Sequence, residues 1–198
     1  VITQLFYLYM ARPRSEDKRN AILSAAIKTL AELGERASTS KIAKVAGVAE
    51  GTLFTYFSNK EELLNQLYLS LKAELRQVMM LSYPTNADLQ TQMSHIWQSY
   101  LDWSLEAPLK RKVMAQLSTS EQITEQSKQI GMQIFCDLTQ NIQECINDGK
   151  LRDYPPLFIA SILGALAEVT LNFIAQDPSQ TERYRKSGFE AFWHAVSL

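Results

Sequence analysis

Residues 38–60 read STSKIAKVAGVAEGTLFTYFSNK, and this stretch decides the fold. Ile42, Ala43 and Ala46 fall at i, i+1 and i+4, the apolar stripe of a short amphipathic helix. Gly47 follows directly, where a residue of positive φ is needed to end that helix. Val48 is the pivot after the turn. Leu53, Phe54 and Phe57 set a second helical pattern, and Asn59-Lys60 closes the unit before another helix begins. Two short helices across a tight turn make a helix-turn-helix, which lays its first helix over the duplex backbone and its second in the major groove.

Charge agrees with that reading. The chain of 198 residues has a net charge of −1, yet residues 10–60 hold nine basic side chains against five acidic ones. A basic head on an acidic body offers a local phosphate-binding face without making the whole protein basic. With 46% hydrophobic residues, the chain can bury a core in one domain or in a small domain plus a larger one. No uninterrupted apolar run approaches about 20 residues, so no membrane span is expected. Cys136 and Cys145 sit nine apart in one expected helix, on opposite faces and about 13 Å apart along its axis, too far for a mutual disulfide. They read as buried structural thiols, and reduced thiols fit a cytoplasmic protein.

Residues 1–9, VITQLFYLY, are apolar and uncharged and precede MARPRSEDKR. They lack the basic region and cleavage site of a signal peptide, which leaves an N-terminal extension or a structural arm. The expected organisation is this extension, a helix-turn-helix head over 10–60, a connecting helix over 61–83, and a body over 84–198. The connecting helix carries Leu63, Leu64, Leu67, Leu71 and Leu75 along one face and stops at Tyr83-Pro84. The body reads as a helix from Asn86 to Glu106, a shorter one near 109–118, and one long helix from about 121 to Asp148. An apolar helix from Asp153 to Gln176 and a last one near 181–196 complete it. The fold class is all-α, with about nine helices.

The segment IAKVAGVAEGTLFTYFSNKEELL resembles the signature of the TetR/AcrR transcriptional regulators. Ile42, Ala43, Ala46, Gly47, Val48, Gly51, Thr52, Leu53, Tyr56, Phe57, Lys60, Glu61 and Leu63 match, and AILSAAIKTLAELG resembles that family's first helix. The likeness covers roughly residues 20–70, and MARPRSEDKR looks like a natural start for such a protein. Two positions depart from the pattern. Ala49 replaces the usual capping Ser, and Glu50 stands where a basic residue is common. A carboxylate repels phosphate and suits a cytosine amino group, so the DNA sequence read is this chain's own. The loop after Gly34 is also a residue short.

Leu53 and Phe57 should face the head's own core, which leaves Glu50, Gly51, Thr52, Phe54, Thr55 and Tyr56 towards the groove. Thr52 and Thr55 can meet base edges, and Gly51 permits close backbone approach. The resemblance implies that Tyr56 reaches a phosphate through its hydroxyl. Ser38 and Thr39 open the first helix of the pair, where hydroxyls and amides hold phosphate, and Lys60 should pair with phosphate too. Phe54 reads equally as core or contact. Arg12 and Arg14 read as an arm to the backbone or minor groove, or as a tail.

The resemblance further implies a double-stranded DNA operator, a small-molecule effector pocket in the body, and a homodimer through the last two helices. Candidate pocket residues are Trp97, Tyr100, Leu101 and Ser104 on one side of their helix, with Met93 beside them. Met114, Leu117, Phe135, Leu138, Phe158 and Ile162 would close around these. Such a stripe also reads as plain core. The pocket would suit a lipophilic or aromatic compound, cationic if Glu106 or Glu168 points inward. Small residues Ala160, Gly164 and Ala167, with Phe189, Phe192 and Trp193 of the last helix, would make the dimer contact. His95 and His194 lack metal-ligand companions, and no cofactor is expected. Three functions compete: a repressor released from a palindromic operator by its ligand, an effector-independent DNA-binding protein with an architectural or protein-partner role, and an enzyme. The last finds no nucleophile–base pair, phosphate loop or metal spacing.

Overall fold

The computed structural model describes residues 15–198, so residues 1–9, Met10, Arg12 and Arg14 lie outside it. Ten α-helices run in order: α1 Glu16–Leu33, α2 Thr39–Ala46, α3 Glu50–Tyr56, α4 Lys60–Met80, α5 Leu89–Glu106, α6 Pro108–Thr119, α7 Glu125–Gln133, α8 Cys136–Asn147, α9 Pro156–Gln176 and α10 Thr181–Val196. A single antiparallel bridge, Leu151 to Ser197, ties the chain ahead of α9 to the end of α10.

Helix ends follow local chemistry. The side-chain oxygens of Ser38, Asn59 and Thr124 each accept from a backbone N–H one turn on, fixing the starts of α2, α4 and α7. Asp88, rather than Asn86, caps α5 by accepting from the Thr91 N–H at 2.8 Å, and that bond holds its carboxyl below the usual range. At Gly47 the backbone turns left-handed, φ 70°, and ends α2 as the sequence requires.

The long helix expected from 121 to 148 is two helices. Its start slips to Glu125 because Ile123 is buried in the core and Asn65 of α4 seizes the loop, donating to Gln122 O and accepting from Thr124 N. It then breaks at Ile134-Phe135. Gly131 lies so close to α4 that a Cβ there would stand 2.8 Å from the Tyr68 ring. Cys136, at the start of α8, is exposed and only Cys145 is buried, so the expectation of two buried thiols holds for one.

Two apolar cores result. One joins α1–α3 to the length of α4 and continues into α5 and α6, through residues such as Ile42, Leu53, Phe57, Leu67, Leu75 and Val113. The other joins α5, α8, α9 and α10 around Trp97, Leu101, Ile159, Leu171 and Phe192. Head and body therefore share one core along α4. Helix α9 differs from its sequence reading: at 21 residues and mean hydropathy 1.9 it is long and apolar enough to cross a membrane, although Glu168 interrupts the run. Only 28% of its apolar window is buried within the chain.

Candidate nucleic-acid interface and internal cavity

The helix-turn-helix geometry comes from a few buried residues. Ile42 of α2 and Leu53 of α3 are fully buried with Phe57, so the two helices are clamped from below. Their outer faces are left to solvent. Phe54 stands 42% exposed, and Gly51 and Thr55 are exposed beside it. Exposure favours contact over core for Phe54. Thr55 donates to Gly51 O, while Thr52 is half-buried with its amide bonded to Ala49 O. No side chain caps the start of α3 at Ala49. The exposed lysines Lys41 and Lys44 of α2 add positive charge that the motif alone did not single out.

Several expected phosphate partners already hold something. Thr39 Oγ1 donates to Glu50 Oε1 at 2.7 Å, tying the start of α2 to the start of α3 and fixing the carboxylate at the edge of the recognition helix. The Tyr56 hydroxyl oxygen accepts from the Ser15 N–H at 3.0 Å, which leaves its own proton to donate. Ser38 Oγ accepts from Lys41 N in the cap and likewise keeps a donor. Lys60 is engaged as well: its ammonium donates to Glu35 O at 2.8 Å and braces the turn after α1, with two donors left over.

In the body, a cavity of about 280 Å³ lies among α4, α5, α6, α8 and α9. Its walls are mostly apolar, among them Leu75, Met79, Met93, Ile96, Ile142 and Ile159, with Thr139 and Asn141 among the few polar ones. Of the expected pocket residues, Tyr100, Met114, Phe135 and Leu138 line it. Trp97, Leu101, Ser104 and Leu117 are buried in the surrounding core instead; Trp97 donates to Arg185 O and stacks on Phe192. Phe158 is 53% exposed and faces away, and Ile162 packs into the second core. A wider, more polar cleft of about 640 Å³ opens near Asp88 and Lys150, but it lies open to solvent and encloses little apolar surface.

Of the small residues expected at a dimer contact, Ala160 is exposed and Gly164 is half-buried. Ala160 and Gly164 line the cavity, Ala167 is fully buried, and Phe192 is buried at the cavity wall. Phe189 and Trp193 are half-buried. The face of α9 left bare carries Leu157, Phe158, Val169 and Phe173, each about half-exposed.

Charge near the cavity is partly neutralised. Glu168 accepts from Arg111 Nη1 at 2.8 Å and from the Tyr100 hydroxyl at 3.3 Å. Burial, with help from Glu168, pushes the Tyr100 phenol up to about 12. Glu106 is exposed and does not line the cavity. Lys72 does line it, and was missed because α4 reads as a connecting helix. Burial pushes its ammonium down.

The same head is recognised by comparison. The family described as "Bacterial regulatory proteins, tetR family" matches residues 22–67. Residues 22–67 form a TetR-family head. The HTH-type transcriptional regulator YhgD of Bacillus subtilis, itself named uncharacterized, is 41% identical over 64 residues, 32% of this chain and 34% of that protein. The fatty acid metabolism regulator protein of the same organism is 50% identical over 48 residues, covering 24% of this chain and 25% of its own. These alignments thus span about a third or less of the curated relatives. Among solved structures, a protein of Shewanella sp. PV-4 assigned as a tetR family transcription regulator is 28% identical with a TM-score of 0.83, covering 91% of this chain and 98% of its own. A TetR family regulator of Marinobacter aquaeolei VT8 shares the fold at a TM-score of 0.86 and 22% identity, covering 94% of this chain and 98% of its own. This TetR-type fold over nearly the whole chain agrees with the all-α plan of head and body read from sequence.

Proposed function

We propose that the protein is a cytoplasmic, sequence-specific DNA-binding transcriptional regulator, a repressor that leaves a palindromic operator when a small lipophilic ligand fills its body cavity. The cavity is the observation that carries this reading over an effector-independent DNA-binding role, which would leave the body solid. Helix α4 supports the coupling. Over about 30 Å it runs from the Lys60 brace beneath the head to Lys72, Leu75 and Met79 in the cavity wall. Helix α6 offers a second route: Met114 lines the cavity, and Ser120 just beyond its end donates to Glu35 in the head. A ligand that favours one setting of these helices by a few kcal/mol would shift the heads between two spacings.

The half-exposed apolar face of α9, flanked by Phe189 and Trp193 of α10, supports a homodimer, and two heads would read two half-sites. The curated relatives' likeness lies in the head, so their roles carry nothing about the ligand here. Filling the cavity tests the proposal. A Cβ at Gly164 meets nothing within 4 Å, so Gly164→Leu should fold and bind operator yet lose thermal stabilisation by lipophilic or aromatic compounds that stabilise the wild type. Equal stabilisation of both proteins would contradict it.

A further inference from the structure

The cavity's one lining cation is its least explained feature. Lys72 sits midway along α4, its ammonium 5.6 Å from the Tyr68 ring centroid and 5.7 Å from that of Phe135. Those two faces are its only contacts of charge or polarity: among the described residues it has no hydrogen bond and no carboxylate partner. The acids around it are engaged elsewhere. Asp137 pairs with Arg76, one turn further along α4, and Glu74 accepts from Lys110 and Trp103. Glu168, across the cavity, is held by Arg111. The Lys128 ammonium, which opposes the rise that burial gives the Tyr68 phenol, is paired with Glu125 at 2.8 Å.

A partly buried cation without a counterion is costly, and a core would ordinarily replace it with an apolar side chain or supply an acid. Here it borders an apolar space, and burial pushes its ammonium below the ordinary lysine value. A cationic ligand would meet Lys72 with no available carboxylate in reach.

Resting on the effector-cavity reading above, we infer that the cavity binds an amphipathic anion, a straight-chain carboxylate whose acid group pairs with Lys72 and whose tail lies among Leu75, Met79, Met93 and Ile159. Thr139 and Asn141 on α8 offer polar contacts from the same wall. At about 280 Å³ the space is at the small end for ligand pockets, which favours short to medium chains.

The test uses the full chain and three probes of one length: decanoate, decan-1-ol and decylamine, by titration calorimetry at stated salt. Decanoate should bind about ten- to a hundredfold tighter than the alcohol, the range set by a charge-assisted contact, with the amine weakest. Lys72→Met, with its far-UV circular dichroism unchanged to show that it folds, should bring decanoate binding down to that of the alcohol. Lys72→Arg should restore preference for the acid. Equal binding of acid and alcohol by the wild type, or undiminished decanoate binding by Lys72→Met, would overturn the inference while leaving the cavity a ligand site. Binding of none of the three would overturn it together with the effector reading.

Discussion

The head and the body of this protein are built from the same kind of helix yet are specified differently. The head is specified locally: Gly47 turns the chain, and Ile42, Leu53 and Phe57 close a small core that leaves little choice of partners. The body is specified by assembly. Its cavity takes side chains from α4, α5, α6, α8 and α9, and its outward face depends on the rotation of α9. Local specification yields a recognition surface that a relative can share over 48 residues, whereas specification by assembly lets the ligand site differ wherever a helix rotates.

The largest effect should come from the head's core. Phe57 is fully buried, and Phe57→Ala should cost about 3–5 kcal/mol, a large part of a domain's stability, read by chemical denaturation. A cost under about 1 kcal/mol would show that the head is not built around that clamp. In the body, Gly188 of α10 lies against Trp97 and Thr170, and a Cβ there would stand 2.7 Å from the indole. Gly188→Ala should cost about 1–3 kcal/mol by overpacking. It should lower the melting temperature and leave DNA affinity per folded molecule unchanged, which would sharpen the division between the two regions.

Smaller still is Tyr56→Phe. It removes the acceptor for the Ser15 N–H and the hydroxyl proton left over for a phosphate, so about 0.5–1.5 kcal/mol of stability and some operator affinity should go, with sequence preference retained. A changed preference would mean that Tyr56 reads bases. The mildest effect belongs to Asp88, exposed at the start of α5. Its carboxyl lies lower in the folded protein than in the unfolded chain. Its contribution is therefore present above the ordinary carboxylate range and fades as pH falls through the folded value. Asp88→Asn should flatten that part of the acid melting curve, and an unaltered curve would remove the cap from the account.

What the sequence disclosed follows the same division. Helix limits in the head, the C-terminal ends of α5 and α9, and the all-α class were legible because caps, Gly and Pro act within a few residues. The break at Ile134-Phe135 was not, since no Pro or Gly stands there to mark it. Nor was the place of Ala160 and Gly164 beside the cavity, which only helix phase sets. Lys72 was hidden for the same reason, being an ordinary charged residue on a helix whose leucines already explained it. Lys60 looked like a phosphate ligand because of its place in the motif, and only geometry shows it bracing Glu35.

The most direct test of the regulator account is selection of bound duplexes from a random pool, at stated salt, with sequencing of what is retained. The account predicts enrichment of a palindrome whose half-sites lie about one helical turn or a multiple apart. Retention governed by salt alone, with no enriched sequence, would contradict it.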